Sequence, residues 1–214
     1  MPIVYRSQLG RPLTYGEMDG NFSYLSEKTN LSWAQVGGEP SVNNAGNPPE
    51  LETFIGGIQA WAYSATSLSE AFVTNDLPFD WCPGTDLVYG IHWSPGNSTA
   101  TGTVRFGLES TYAWAYGQDA PSTFGPTQTI YIEPTVTHST PYEHFLSFNN
   151  PADNFPGSMA QQNMRFLVRI FRDGGHPNDT FPDPVFVIGT DLFYQTDRFG
   201  TPNKSPPFPT TPIT

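Results

Sequence analysis

From residue 51 to about residue 200, apolar side chains recur at every second position in short runs cut by turn residues. The alternation is clearest in Leu87, Tyr89, Ile91 and Trp93, in Val104, Phe106 and Leu108, and in Phe166, Val168 and Ile170. A period of two puts one set of side chains on one face of a strand, the mark of a half-buried sheet. Eight strands are expected, near 53–63, 70–74, 86–94, 102–114, 128–133, 143–148, 163–172 and 184–195. Turn residues separate them, among them Pro83-Gly84, Pro95-Gly96-Asn97, Gly125-Pro126 and Asp173-Gly174-Gly175. Long, unequal loops fit an all-β, jelly-roll-like two-sheet β-sandwich better than an up-and-down barrel, which favours short hairpins.

The first fifty residues have a different texture. Residues 1–13 read as an extended arm, and Thr14-Tyr-Gly-Glu17 has the spacing of a capping box. Behind it Tyr15, Met18, Phe22 and Leu25 recur as the stripe of a short amphipathic helix. Gly16 and Gly20 each cost that helix about 1 kcal/mol relative to alanine, so it needs a partner surface. Residues 31–50, rich in Gly, Asn and Pro, read as a linker with a boundary near Pro49. The expected division is 1–50 for the anchor arm, helix and linker, 51–200 for the sandwich, and 201–214 for a Pro-rich tail that cannot form a central strand.

Charge narrows the partners. Twenty acidic residues against nine basic ones give a net charge of −11 over 214 residues. Nucleic-acid binding needs a basic stripe that displaces counterions from phosphates, so no nucleic-acid partner is expected. The same deficit opposes docking on an anionic membrane, and no run approaches the roughly 20 apolar residues of a membrane span. The opening residues lack the apolar core of a secretory leader, so none is expected. Cys82 is the one cysteine, which leaves no intrachain disulfide and no CxxC site.

Catalytic motifs are sparse. The histidines are His92, His138, His144 and His176, in no HExxH or HxH arrangement; His92 reads as a half-exposed sheet residue, and no metal or cofactor is expected. The loop from Asp173 to Asp183 offers Asp173, Asn178, Asp179 and Asp183, which could surround calcium or cap the loop's own turns; both readings stay open. There is no GxSxG elbow, and Cys82 beside Trp81 reads as a small buried thiol. Glu109 and Glu133 are formal candidates for paired glycosidase carboxylates, a pairing with little specificity among twenty acids. No catalytic residue is therefore expected. Aromatic residues make up 14% of the chain. Trp61, Tyr63, Trp81, Trp93 and the ladder Tyr112, Trp114 and Tyr116 fit either a core with a subunit interface or a platform for stacking sugars.

Arg11-Pro-Leu-Thr-Tyr-Gly-Glu-Met-Asp-Gly-Asn-Phe22 resembles the "PLT-x-x-E-[LM]-D-x-N-F" segment found near the start of tailed-bacteriophage virion proteins, especially fibres and appendages. Asp86-Leu-Val-Tyr-Gly-Ile-His-Trp93, Gly102-Thr-Val-Arg-Phe-Gly-Leu-Glu109, Arg169-Ile-Phe-Arg-Asp-Gly174, Asn178-Asp-Thr-Phe181 and the stretch from Asp191 to Thr201 are similar to phage structural β-domains. The resemblance implies a short helix at Tyr15, Met18, Phe22 and Leu25 that attaches or trimerises the chain. It implies a non-enzymatic virion protein, assembled in the bacterial cytoplasm: a homotrimeric capsid decoration, cement or head-fibre protein seated on the major capsid protein or another virion protein. The alternative is a tail-associated fibre protein that binds a host surface glycan. Either way the marginal helix, the Pro-rich tail and the surplus rings call for partner surfaces.

Overall fold

A computed structural model of the chain describes residues 12, 14, 18, 32–43, 45–114, 123–137 and 140–196. The strands are β1 (Ser32–Gly38), β2 (Glu50–Ile55), β3 (Ile58–Tyr63), β4 (Leu68–Asp76), β5 (Val88–Ser94), β6 (Gly102–Thr103), β7 (Phe106–Ala113), β8 (Gln128–Ile132), β9 (Thr135–Val136), β10 (Phe145–Phe148), β11 (Arg165–Asp173) and β12 (Val185–Thr196). One sheet, A, runs β10-β5-β12-β3-β2, with β1 also on β12; the other, B, runs β4-β11-β7-β8. The outer rungs are β3 with β12, β4 with β11, β5 with β10 and β7 with β8. That is one long antiparallel hairpin rolled until β12 meets β5 and β11 meets β7, which is a jelly roll.

All three alternating sets seen in the sequence point inward. Leu87, Ile91, Trp93, Val104, Phe106, Phe166 and Ile170 are fully buried in one hydrophobic cluster between the sheets. Each such side chain contributes about 1.5–3 kcal/mol by leaving water. Rings interlock there: Trp93 stacks on Phe145 at 4.7 Å between centroids, and Phe155 meets Phe166 edge-on at 5.1 Å.

Two sequence expectations change. The stretch 31–50, expected as a linker, supplies β1, which pairs with the second half of β12 from Ser32↔Thr196 to Gly38↔Thr190. Its residues alternate weakly because half-buried Ala34 and Val36 are its only apolar contacts with the core. The expected strand 53–63 is a hairpin, β2–β3, closed by Gly56-Gly57 between the paired Ile55 and Ile58. Gly56 has φ 59°, the left-handed backbone that the first position of a II′ turn requires. Of the N-terminal segment, the Met18 N–H donates to the Thr14 carbonyl at 3.0 Å. Tyr15, Phe22 and Leu25 lie outside the described residues, as does the Pro-rich tail.

The inward series of β11 does not stop at Ile170. Arg172 takes the next inward position, and its side chain and that of Asp179 are both fully buried. All five guanidinium N–H groups are used. Nε and Nη2 donate to the Asp179 carboxylate at 2.9 and 2.8 Å. Nη2 also donates to the Phe181 carbonyl at 2.7 Å, and Nη1 donates to the carbonyls of Tyr63 and Asp183 at 3.1 and 2.8 Å. Asp179 accepts a further bond from the Arg105 N–H at 2.9 Å. The loop between β11 and β12 is thereby tied to β3 in the opposite sheet. Losing one partner of such a pair leaves a buried charge uncompensated, which costs far more than replacing both. Arg172→Met is expected to lower the unfolding free energy by about 3–5 kcal/mol, with Arg172→Met/Asp179→Leu recovering part of it. Urea titration followed by tryptophan fluorescence reads both; a single variant as stable as the parent would contradict the clamp.

Candidate interaction surface

Alternation that sends Phe166, Val168 and Ile170 inward sends Arg165, Leu167, Arg169 and Phe171 to the outer face of sheet B. Register places Leu167 between Thr74 of β4 and Thr111 of β7, and Arg169 between Phe72 and Glu109. Phe72 and Leu167 remain 38% and 40% exposed. With Thr74, Thr111, Thr127 and the stem of Arg169 they line a shallow groove of about 380 Å³.

Ion pairs frame the groove. Arg169 donates to Glu70 at 2.5 Å and to Glu109 at 2.9 Å. Arg165 holds Asp76 through two bonds of 2.7 Å. Farther along, Arg105 pairs with Glu133 and lies over the Tyr131 ring, 3.7 Å from its centroid. Burial alone would raise the Glu70 carboxyl; bonds from Arg169 and from the backbone N–H groups of Gly46 and Asn47 outweigh it and hold the group below the usual carboxylate range. The Arg169 bond, then the Thr127 bond, lowers Glu109. Among the described residues, every arginine that reaches solvent lies on this face, and each is paired. The face is close to charge-balanced on a strongly acidic chain.

A second apolar feature projects from sheet A. β12 supports β3 only at Trp61, Ala62 and Tyr63, so the rest of the β2–β3 hairpin extends beyond it. Leu51, Ile55 and Ile58 are 50%, 45% and 64% exposed. The stem is pinned by Phe54, whose ring meets Phe186 at 5.1 Å and Tyr142 at 5.5 Å, both edge-on. A hairpin held in this way is a built projection.

The outer side of sheet A also carries a polar relay. His92 Nε2–H donates to the buried Asp191 carboxylate at 2.6 Å, and His92 Nδ1 meets His144 Nε2 at 2.9 Å. The two imidazole planes are parallel within 3° and their centroids are 5.0 Å apart. The 2.9 Å separation is that of one ring N–H donating to the other ring's nitrogen. Half-exposed His92 is thus the middle of a cross-strand ladder from β12 through β5 to the residue before β10. The sequence placed both histidines in strands but carried no sign that those strands are neighbours.

The ladder Tyr112, Trp114 and Tyr116 was expected on one strand face, and Tyr112 and Trp114 share the inward one. Tyr112 meets Phe155 edge-on at 4.8 Å, and Trp114 packs against the core with its indole N–H 3.3 Å from the Met159 carbonyl. Tyr116 lies outside the described residues. Core packing therefore takes these two rings away from any open platform. In the Asp173–Asp183 loop, Asp179 faces Arg172, and Asp183 accepts from the Ser98 hydroxyl at 2.6 Å. Among the described residues no three His, Cys, Asp or Glu side chains converge as for a metal. Glu109 and Glu133 are each paired with an arginine, and the β7–β8 register sets them four positions apart, roughly 13 Å along the strands. Glycosidase carboxylates stand closer, at about 5–9.5 Å.

No family model matches the chain, and no curated protein does. Among solved structures it is similar to a carbohydrate-binding module that recognises mannan, with a TM-score of 0.31 and 11% identity over 79% of this chain and 91% of that one. It is similar to a promiscuous carbohydrate-binding module of the β-sandwich superfamily, with a TM-score of 0.30 and 10% identity over 77% of this chain and 56% of that one. A third is a module solved with β-1,4-galactotriose, with a TM-score of 0.26 and 11% identity over 79% and 91%. Overlays this loose carry no argument about ligand or activity.

His144 resists protonation in the fold. Partial desolvation, then the neighbouring His92, lowers its pKa from the ordinary 6.5. In the unfolded chain it takes up a proton near 6.5, whereas in the fold it resists, so stability is full above that value and falls as pH drops below it. The melting temperature is expected to decrease from pH 7 to 5.5, and to decrease less in His144→Gln. Equal decreases in both would remove His144 as the cause.

Proposed function

We propose that this chain is a non-enzymatic building block of a larger protein assembly. The observation that carries the reading is the set of large apolar side chains left uncovered on firmly built β-elements: Ile55 and Ile58 on the pinned hairpin, Phe72 and Leu167 in the groove. Concentrated apolar relief on an otherwise acidic surface is what a protein partner covers. The resemblance of Arg11 to Phe22 to phage appendage proteins supports placing that assembly in a tailed-bacteriophage virion. There the chain acts as a homotrimeric decoration, cement or head-fibre protein anchored by its N-terminal segment on the capsid. Light scattering is expected to give three times the 23.6 kDa chain mass. An antibody raised against the chain is expected to label purified particles in immunogold images. A chain abundant in lysate but absent from purified virions would overturn the reading.

The second reading is recognition of a host surface glycan. A polar cleft of about 510 Å³ between the edge strands β8 and β10 favours it, lined by Tyr131, Glu133, Ser147, Asn150 and Asp153. Sugars stack on an open ring face, and Arg105 already covers one face of Tyr131. If this cleft is the receptor site, Tyr131→Ala abolishes binding on a glycan array. The building-block reading expects no array signal from the parent protein.

A further inference from the structure

We propose that the hairpin and the groove are the two halves of one contact: the β2–β3 tip of one copy seats between Phe72 and Leu167 of the next. This rests on the building-block reading above and names its partner surface as a second copy of the chain. Three observations carry it. The tip, Ile55-Gly-Gly-Ile58, is uncharged, as are the residues from Thr53 to Gln59 around it, and both of its isoleucines are exposed. The groove is concave and apolar at its centre, with flanking carboxylates already held by Arg165 and Arg169. The two features belong to different layers, the tip to sheet A and the groove to the outer face of sheet B, so a tip does not fill the groove of its own chain.

Charge selects the match. At a net charge of −11, two copies that meet through ordinary surface bring acid against acid. An uncharged tip on a charge-balanced groove avoids that cost and buries four exposed apolar side chains together. Each contact joins two different surfaces, so it is heterologous, and heterologous contacts close into rings when the rotation allows. A ring of three by this route is compatible with the proposed trimer and needs no contribution from the helix expected near the N-terminus.

The test uses the full chain in a Cys82→Ser background. Ile58→Cys and Leu167→Cys proteins, each shown to be folded by circular dichroism, are oxidised separately and as a mixture. The mixture is expected to form an intermolecular disulfide, and neither protein alone is. In parallel, Ile58→Asp and Leu167→Glu are each expected to raise the dissociation constant of self-association at least tenfold, or about 1.4 kcal/mol. A Leu167→Cys protein that cross-links with itself as readily as in the mixture overturns the pairing, as does a parent protein that is monomeric at every concentration tested. Particle labelling by antibody without any hairpin–groove cross-link also overturns the pairing, while the building-block reading then survives.

Discussion

A single buried guanidinium organises this fold. Arg172 sits at the end of β11, an inner strand of sheet B, reaches the Tyr63 carbonyl in sheet A, and binds Asp179 and two carbonyls of the β11–β12 loop. A buried, unpaired arginine would be intolerable, and a buried arginine with five well-placed acceptors is a rigid joint. The joint fixes where β12 enters sheet A. Because β12 is the strand on which β5, β3 and β1 all pair, its entry point sets the register of the whole layer. The hairpin stem, the histidine relay and the outer face of sheet B inherit their places from that joint and from the core between the layers.

The remaining described arginines follow a second logic. On a chain with eleven more negative than positive charges, each arginine cancels a carboxylate that would otherwise repel a neighbour. Concentrated on one sheet face, they make that face the region most open to another acidic surface. Exposed ion pairs such as Arg165–Asp76 add little to stability, so their consequence lies in which surfaces can approach, more than in how firmly the domain holds.

Much of the sandwich was legible in the alternation, because a period of two is a direct imprint of burial on one side. Phe106 and Phe166 could be assigned to the core from spacing alone, whereas Trp93, in the same alternation, had stayed open between the core and a sugar platform. The β2–β3 hairpin was less so: Ile55-Gly-Gly-Ile58 carries a turn signal, but apolar residues on both sides made a single strand read equally well. β1 was hidden by its glycines and by its weak contacts with the core. Arg172 continues the inward series in plain view, yet its role depends on Asp179, seven residues on and across a loop that also fits a calcium site. The groove needed register, since Phe72 and Leu167 come from strands that no local pattern makes neighbours. The residues of the expected N-terminal helix stripe other than Met18 fall outside the described segments, so that expectation rests on spacing and resemblance.

The kind of apolar surface left open bears on the choice between partners. Glycan recognition relies on flat rings presented to solvent. All five tryptophans here are buried or half-buried, with Trp93 and Trp81 deep in the core, and the Tyr131 ring is capped by Arg105. The uncovered residues of the hairpin and groove are chiefly branched aliphatics, with Phe72 beside them. Aliphatic side chains gain little from a sugar's hydroxyl-rich faces and much from close packing against other aliphatics. Most of the rings that first suggested either a platform or an interface hold the two sheets together; Phe79 and Phe124 stay outside, 68% and 48% exposed, so it is the aliphatic hairpin and groove that favour a protein contact over a sugar.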